Sequence, residues 1–150
     1  GTGTYTYENL AEARFRGLEA GAFAPLGAGF STRASFTLLD ATTGSGQQLD
    51  KRPKRAGSAR LDWQEGPWRA SVYADYTGTQ LLPSTTTGAP SEWTPAYTMV
   101  GAQLARSLPY GLEASLGVSN LTDVYLFEKS ALFPQAEMPR TWRLSLRGRW

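Results

Sequence analysis

The sequence predicts an all-β fold: an antiparallel transmembrane β-barrel wall of about seven strands, part of a larger barrel. Three observations predict it. Apolar and polar residues alternate with a period of two in one stretch after another. The segments between these stretches are short and long in strict turn. Finally, 16 Gly, 7 Tyr, 6 Phe and 5 Trp accompany a charged fraction of only 19%. No apolar run approaches the roughly eighteen residues of a transmembrane helix, whereas a barrel crosses the bilayer on alternating strands of modest mean hydropathy.

The elements follow in order. Tyr5 to Phe23 reads as one long strand. Its inner half sets Leu18, Ala20 and Ala22 against Gly17, Glu19 and Gly21, and its polar outer half carries Arg14 and Arg16 on the Leu18 face. In Phe30 to Leu38, Phe30, Ala34, Phe36 and Leu38 alternate with Ser31, Arg33, Ser35 and Thr37. Ser58 to Gln64 sets Ala59, Leu61 and Trp63 against Arg60 and Asp62. Trp68 to Thr77 sets Trp68, Ala70, Val72, Ala74 and Tyr76 against Arg69, Ser71, Tyr73 and Asp75. Ala96 to Ala105 alternates less cleanly, with Val100 and Leu104 sharing a face with Thr98 and Ala102. Leu112 to Ser119 and Thr141 to Trp150 complete the series, the last with Trp142, Leu144, Leu146 and Trp150 opposite Arg143, Ser145, Arg147 and Arg149. Because successive side chains of a strand point to opposite faces, each stretch builds one apolar and one polar face.

The short connections are Pro25 to Ala28, Glu65 to Pro67 and Leu108 to Gly111, each holding the Gly and Pro that shape tight turns. The long ones are Thr42 to Pro53, Leu81 to Pro95 and Thr122 to Pro139. Short inner turns and long outer loops are the signature of outer-membrane barrels, and place the chain in the bacterial outer membrane. Two other readings stand beside this one. A soluble β-sandwich, as a binding module, has half-buried sheets of the same alternation, but its strands usually run to about five or six residues. A small self-contained barrel with a structural or adhesive role results if Tyr5 to Phe23 breaks into two strands.

An odd strand count with the last strand running inward puts the first residue outside the membrane. About seven strands are too few to close a barrel, and open edges in lipid leave backbone groups unpaired at several kcal/mol each. The chain is therefore expected to pair at both edges with strands outside the given sequence, and to form one domain over residues 1–150. Gly1-Thr2-Gly3-Thr4 lacks the charged and apolar regions of a signal peptide.

Charge and composition exclude several functions. A formal charge of +2 is too weak to point to nucleic acid. No Cys and no His removes thiol chemistry, thiolate metal sites and the usual general base, so no catalytic residue, metal site or cofactor is expected. Gly27-x-Gly29 and Gly44-x-Gly46 are turn glycines, since neither opens a helix after a strand. Trp63, Trp68 and Trp150 fall near the inner interface, and Tyr76 and Trp142 towards the outer one, a two-belt arrangement. Arg60 with Asp62, Arg69 with Asp75, and Glu113 are expected on the lumen face as a charge-paired lining. Arg14, Arg16, Lys51, Arg52, Lys54 and Arg55 form a candidate basic collar at the outer rim, suited to lipopolysaccharide phosphates. Trp93, Tyr97, Tyr125 and Phe127, on or beside the outer loops, are candidate contacts for a small-molecule ligand.

Four segments resemble a known family in order along the chain. Tyr7 to Glu19 is similar to its "Y-x-N-x-x-x-A-R-x-x-G-x-E" strand; Lys51-Arg52-Pro53 is similar to the basic start of a later inward strand. Asn120-Leu121-Thr122-Asp123-Val124-Tyr125 is similar to "N-L-F-D-x-x-Y", and Pro139-Arg140-Thr141-Trp142 to "P-G-R-T-Y" before the last strand. These segments resemble the C-terminal barrel strands of the TonB-dependent outer-membrane receptors, the cobalamin and siderophore type in particular. Thr122 departs from the usual aromatic, no Gly precedes Arg140, and Trp150 stands where Phe is usual. The resemblance implies the C-terminal portion of a barrel of about 22 strands around a plugged lumen. It implies uptake of a metal chelate or a vitamin, a plug domain absent from this chain, the TonB complex as partner through that plug, and Trp150 as a barrel-assembly signal.

Overall fold

The computed structural model describes residues 12–84, 86, 88–133 and 137–148. The start of the first predicted strand at Tyr5, the Tyr7 to Ala11 part of its motif, and Arg149 and Trp150 lie outside the described residues. The strands are β1 (Ala13–Gly27), β2 (Phe30–Thr43), β3 (Arg55–Glu65), β4 (Trp68–Thr77), β5 (Gln80–Leu82), β6 (Glu92–Thr94), β7 (Tyr97–Ser107), β8 (Leu112–Ser119) and β9 (Thr141–Gly148). A four-residue helix, α1 (Leu126–Lys129), follows β8. Seven strands form one sheet in the order β1-β2-β3-β4-β7-β8-β9, and every neighbouring pair is antiparallel. β5 and β6 make a separate hairpin inside the loop between β4 and β7.

The register carries the alternation across the whole sheet. Leu18 lies opposite Leu38, Ala34 opposite Ala59, Leu61 opposite Val72, Ala70 opposite Leu104, Leu104 opposite Leu116, and Leu116 opposite Leu144. A slip of one residue on any strand would have put its apolar set on the other face. The polar sets align in the same way: Ser35 faces Ser58 with their hydroxyls 2.8 Å apart, and Asp62 faces Ser71.

The two faces differ in shape. The hollows of the sheet are lined chiefly by the polar set, Ser31, Arg33, Arg60, Asp62, Arg69 and Gln103 in one and Tyr73, Ser115, Arg143 and Ser145 in another. The polar face is thus concave, and the apolar face lies on the outside of the curve. Among the described residues no second layer covers that outside: Leu18 is 64% exposed and Leu144 81%. A water-soluble sandwich buries its apolar face between two sheets, so this single layer overturns that reading. β1 is continuous from Ala13 to Gly27, which removes, over those residues, the break an eight-strand barrel requires.

Differences from expectation are local. β1 runs to Gly27 through a register irregularity between Pro25 and Gly27, so the turn is Ala28-Gly29 instead of Pro25 to Ala28. Gly29 is needed there: its φ is +78, and an added Cβ would lie 2.1 Å from the Gln64 carbonyl oxygen. The turns at Gly66-Pro67 and residues 108–111 fall where expected. The loop expected at 81–95 holds all but the first residue, Gln80, of the β5-β6 hairpin, whose three-residue strands are too short to show a period.

Candidate functional site

At the outer ends of the strands the three long connections pack into one cap. The Lys51 backbone N–H donates to the Leu81 carbonyl at 2.8 Å, and the Ser91 hydroxyl to the Asp50 carboxylate at 2.9 Å, joining the first loop to the second. Leu82 from β5, Leu126 from α1 and Phe133 meet in a small buried core, each 3% exposed. Tyr97 closes the core from below, its ring edge-on to Phe133 with centroids 5.6 Å apart.

The third loop is tied at its root. Asn120, at φ +50, is buried; its side-chain amide donates to the Val124 and Met138 carbonyls at 2.9 and 3.0 Å and accepts from the Val124 N–H at 2.8 Å. Asp123 accepts from the Arg140 backbone N–H at 2.8 Å and from its guanidinium at 3.2 Å. These bonds, the backbone one first, hold the Asp123 carboxyl below its ordinary value. The sequence segments 120–125 and 139–142 are therefore the two halves of one clasp.

The four candidate ligand contacts divide. Trp93 on β6 is about half exposed, and the Lys54 ammonium lies 4.9 Å from its ring centroid. Tyr125 and Phe127 are exposed beside each other, with ring centroids 5.9 Å apart. Tyr97 packs beneath the cap and faces the loop core.

The collar divides too. Arg14 and Arg16 stand on the apolar side of β1, opposite Thr42 and Asp40, and Arg55 stands opposite Leu38 on the same side. Glu12 pairs with Arg14 at 2.9 Å. Lys51, Arg52 and Lys54 lie instead in the first loop, where the Arg52 guanidinium donates to the Lys51 carbonyl at 3.2 Å. The structure thus gathers three of the six residues on the outward face, with carboxylates between them.

On the concave face Arg60 pairs with Asp62 at 2.8 Å, as the spacing predicts. Arg69 pairs with Glu113 of β8 and not with Asp75. Asp75 lies six positions along β4, roughly 20 Å away at the rise of an extended strand, while Glu113 is reached sideways across β7. The sequence gives no sign of the contact between Tyr73 and Gly101. The phenol covers the glycine so closely that an added Cβ would lie 2.3 Å from its hydroxyl oxygen. Among the described residues no group of three acidic residues is placed to hold a metal ion.

The β-barrel model of TonB dependent receptor-like proteins matches residues 1–121. No curated protein matches the sequence. Among solved structures the chain is similar to the ferric-catecholate import receptor Fiu from Escherichia coli K12, with a TM-score of 0.74 and 22% identity over 89% of this chain and 20% of that one. It is similar to the copper transporter OprC, with a TM-score of 0.72 and 21% identity over 89% of this chain and 23% of that one. It is similar also to the pyoverdine-bound FpvA of P. aeruginosa, with a TM-score of 0.73 and 19% identity over 89% and 19%. The chain therefore spans about a fifth of the length of each of these structures.

Proposed function

The chain belongs to the TonB dependent receptor-like β-barrel family of bacterial outer-membrane proteins, and from that premise we propose that it is the C-terminal part of the barrel of an active transporter. The remaining strands and a plug complete the barrel, from the same receptor, whether in one chain or two. The TonB complex acts on the plug. The observation that carries this reading is the sheet itself. It has an apolar convex face, a polar concave face, and two outer strands, β1 and β9, each with one partner among the described residues. Such a sheet is a wall around something, and in lipid it has to be closed.

The cargo we propose is a metal or metal chelate of siderophore type. Ferric catecholate is named for Fiu and copper for OprC, which supports a metal cargo over cobalamin. Trp93, Tyr125 and Phe127 present the exposed aromatic surface of the cap and are the proposed contacts, with Tyr97 holding the cap in place. Arg14, Arg16 and Arg55 are the proposed lipopolysaccharide contacts, since guanidinium groups on a lipid-side rim suit phosphate. Unchanged lipopolysaccharide co-purification after Arg14→Gln, Arg16→Gln and Arg55→Gln would remove that assignment.

The test of the function is uptake. The full-length receptor, produced in a strain lacking its own ferric-chelate receptors, is expected to restore growth on at least one of ferric catecholate, ferric citrate, ferric hydroxamate or limiting copper. Loss of TonB should abolish that growth. Growth on none, or growth indifferent to TonB, would reject the transporter reading.

A further inference from the structure

The concave face holds more arginine at its inner end than its carboxylates absorb. Arg33 on β2 and Arg60 on β3 are directly opposed in register. Like charges in that relation repel unless something anionic lies across them. Arg69, near the start of β4, lines the same hollow as Arg33 and Arg60, with Ser31, Ser71 and Gln103 around them. The Ala28-Gly29 and Gly66-Pro67 turns mark this as the inner mouth of the lumen.

The local acids do not neutralise it. Asp62 takes the Arg60 Nε at 2.8 Å and Glu113 takes Arg69. Arg33 has no carboxylate partner among the described residues, and its guanidinium rests over the Phe23 ring at 5.7 Å. A side chain parked on an aromatic face keeps its N–H donors free for an incoming acceptor.

We propose that this hollow seats an acidic segment of the plug, with an Asp or Glu carboxylate bridging Arg33 and Arg60. The inference rests on the receptor reading above, in which the wall encloses a plugged lumen. A peptide fits better than a free inorganic anion. The hollow is about 550 Å³ across four strands, β2, β3, β4 and β7, and Ser31, Ser71 and Gln103 offer neutral partners for main-chain amides beside the arginine forks. Bidentate guanidinium–carboxylate pairs would fix the segment's position in the closed state, and withdrawing the carboxylate would leave the arginines unpaired. A pull on the plug then has a defined set of bonds to break.

The test uses the full-length receptor in outer-membrane vesicles. Arg33→Lys and Arg60→Lys keep the charge and supply a primary amine, which a carbodiimide condenses with a carboxylate in contact, with loss of water. Arg69→Lys, beside Glu113, is the positive control. The expected result is an amide link from position 33 or 60 to an Asp or Glu of the plug, absent in Arg33→Gln and Arg60→Gln and lost in 1 M salt. Links from both positions only to acids of this wall, or no link to the plug while the position-69 control couples, would overturn the proposal. A second measurement needs no new amine: in planar bilayers the Arg33→Gln, Arg60→Gln double variant should conduct ions several-fold more than the parent, and equal conductance counts against the seat. Uptake by the parent receptor, with no link to the plug in either lysine variant, overturns the seat alone. A receptor whose remaining sequence holds no plug overturns the receptor reading with it.

Discussion

In the strand wall Leu144 is 81% exposed and Leu18 64%, while in the outer cap Leu82, Leu126 and Phe133 are each 3% exposed. The same kind of side chain thus serves two solvents within one chain. Among the described residues the wall has no protein core on its apolar side; its backbone ladders are the internal frame, and lipid supplies the apolar medium. The cap projects into water and has to bury apolar surface on its own account, as any small soluble unit does. The difference teaches that the wall and the cap should fail independently and by different rules.

The cap should show the larger single loss. Phe133→Ala removes a ring from the buried trio and from Tyr97, and should cost about 3–5 kcal/mol of the cap's local stability. Protease nicking of the third loop on intact cells should rise steeply, while the heat at which the barrel loses its compact gel mobility stays unchanged. If barrel and cap melt together in the variant, the two regions are one cooperative unit and the contrast breaks.

The wall should respond to charge and face instead of volume. Val72→Arg puts a guanidinium on the lipid side and should cost about 2–4 kcal/mol if it lies near the bilayer midplane, less near an interface. Asp75→Arg, three positions along on the concave side where the residue is exposed, should cost little. The measurement is the fraction of folded, heat-modifiable receptor and its urea midpoint. Equal losses at the two positions would mean that the convex face is not the lipid face.

How legible this was in the sequence follows from the same contrast. The wall repeats one physical rule many times, so β4 and β8 emerge with the ends that alternation alone predicts, Trp68–Thr77 and Leu112–Ser119. Even the open edges could be expected from the strand count. The cap repeats nothing. Leu82, Leu126 and Phe133 sit in short apolar clusters without a period, about fifty positions apart at the extreme, and only three-dimensional packing joins them. Tyr97 reads in the sequence as an outer-loop aromatic, and its place under Phe133 depends on that unseen core. The Arg69–Glu113 pair is hidden in the sequence for a related reason: it crosses an intervening strand, and spacing along one strand favours Asp75. The Arg33–Arg60 opposition likewise needs the register before it exists at all.

A smaller test probes how the cap is anchored to the wall. Asn120→Ala removes the acceptor of the Val124 N–H and the donor to two carbonyls. The loss should be about 1–3 kcal/mol, the cost of leaving buried backbone groups unpaired. Hydrogen exchange at the Val124 amide should accelerate accordingly, with wall amides such as Val72 unaffected. Acceleration at both would show that the clasp braces the wall as well as the cap.

The smallest effect is the pH response of the same clasp. The Arg140 backbone N–H and then its guanidinium hold the Asp123 carboxyl below the usual 3.8. A depressed folded value means that the unfolded loop binds a proton more readily than the folded one. The clasp's contribution is therefore fully present above pH 3.8 and is lost as the pH falls through the lower folded value. Because both groups are exposed, salt should weaken the response. Exchange at the Arg140 amide, followed as its ratio to the wall amide of Val72, should rise only at the acid end and should flatten in Asp123→Asn. A response centred near neutral pH, or one that persists in Asp123→Asn, would assign the acid sensitivity to some other group and leave Asp123 as a hydrogen-bond acceptor only.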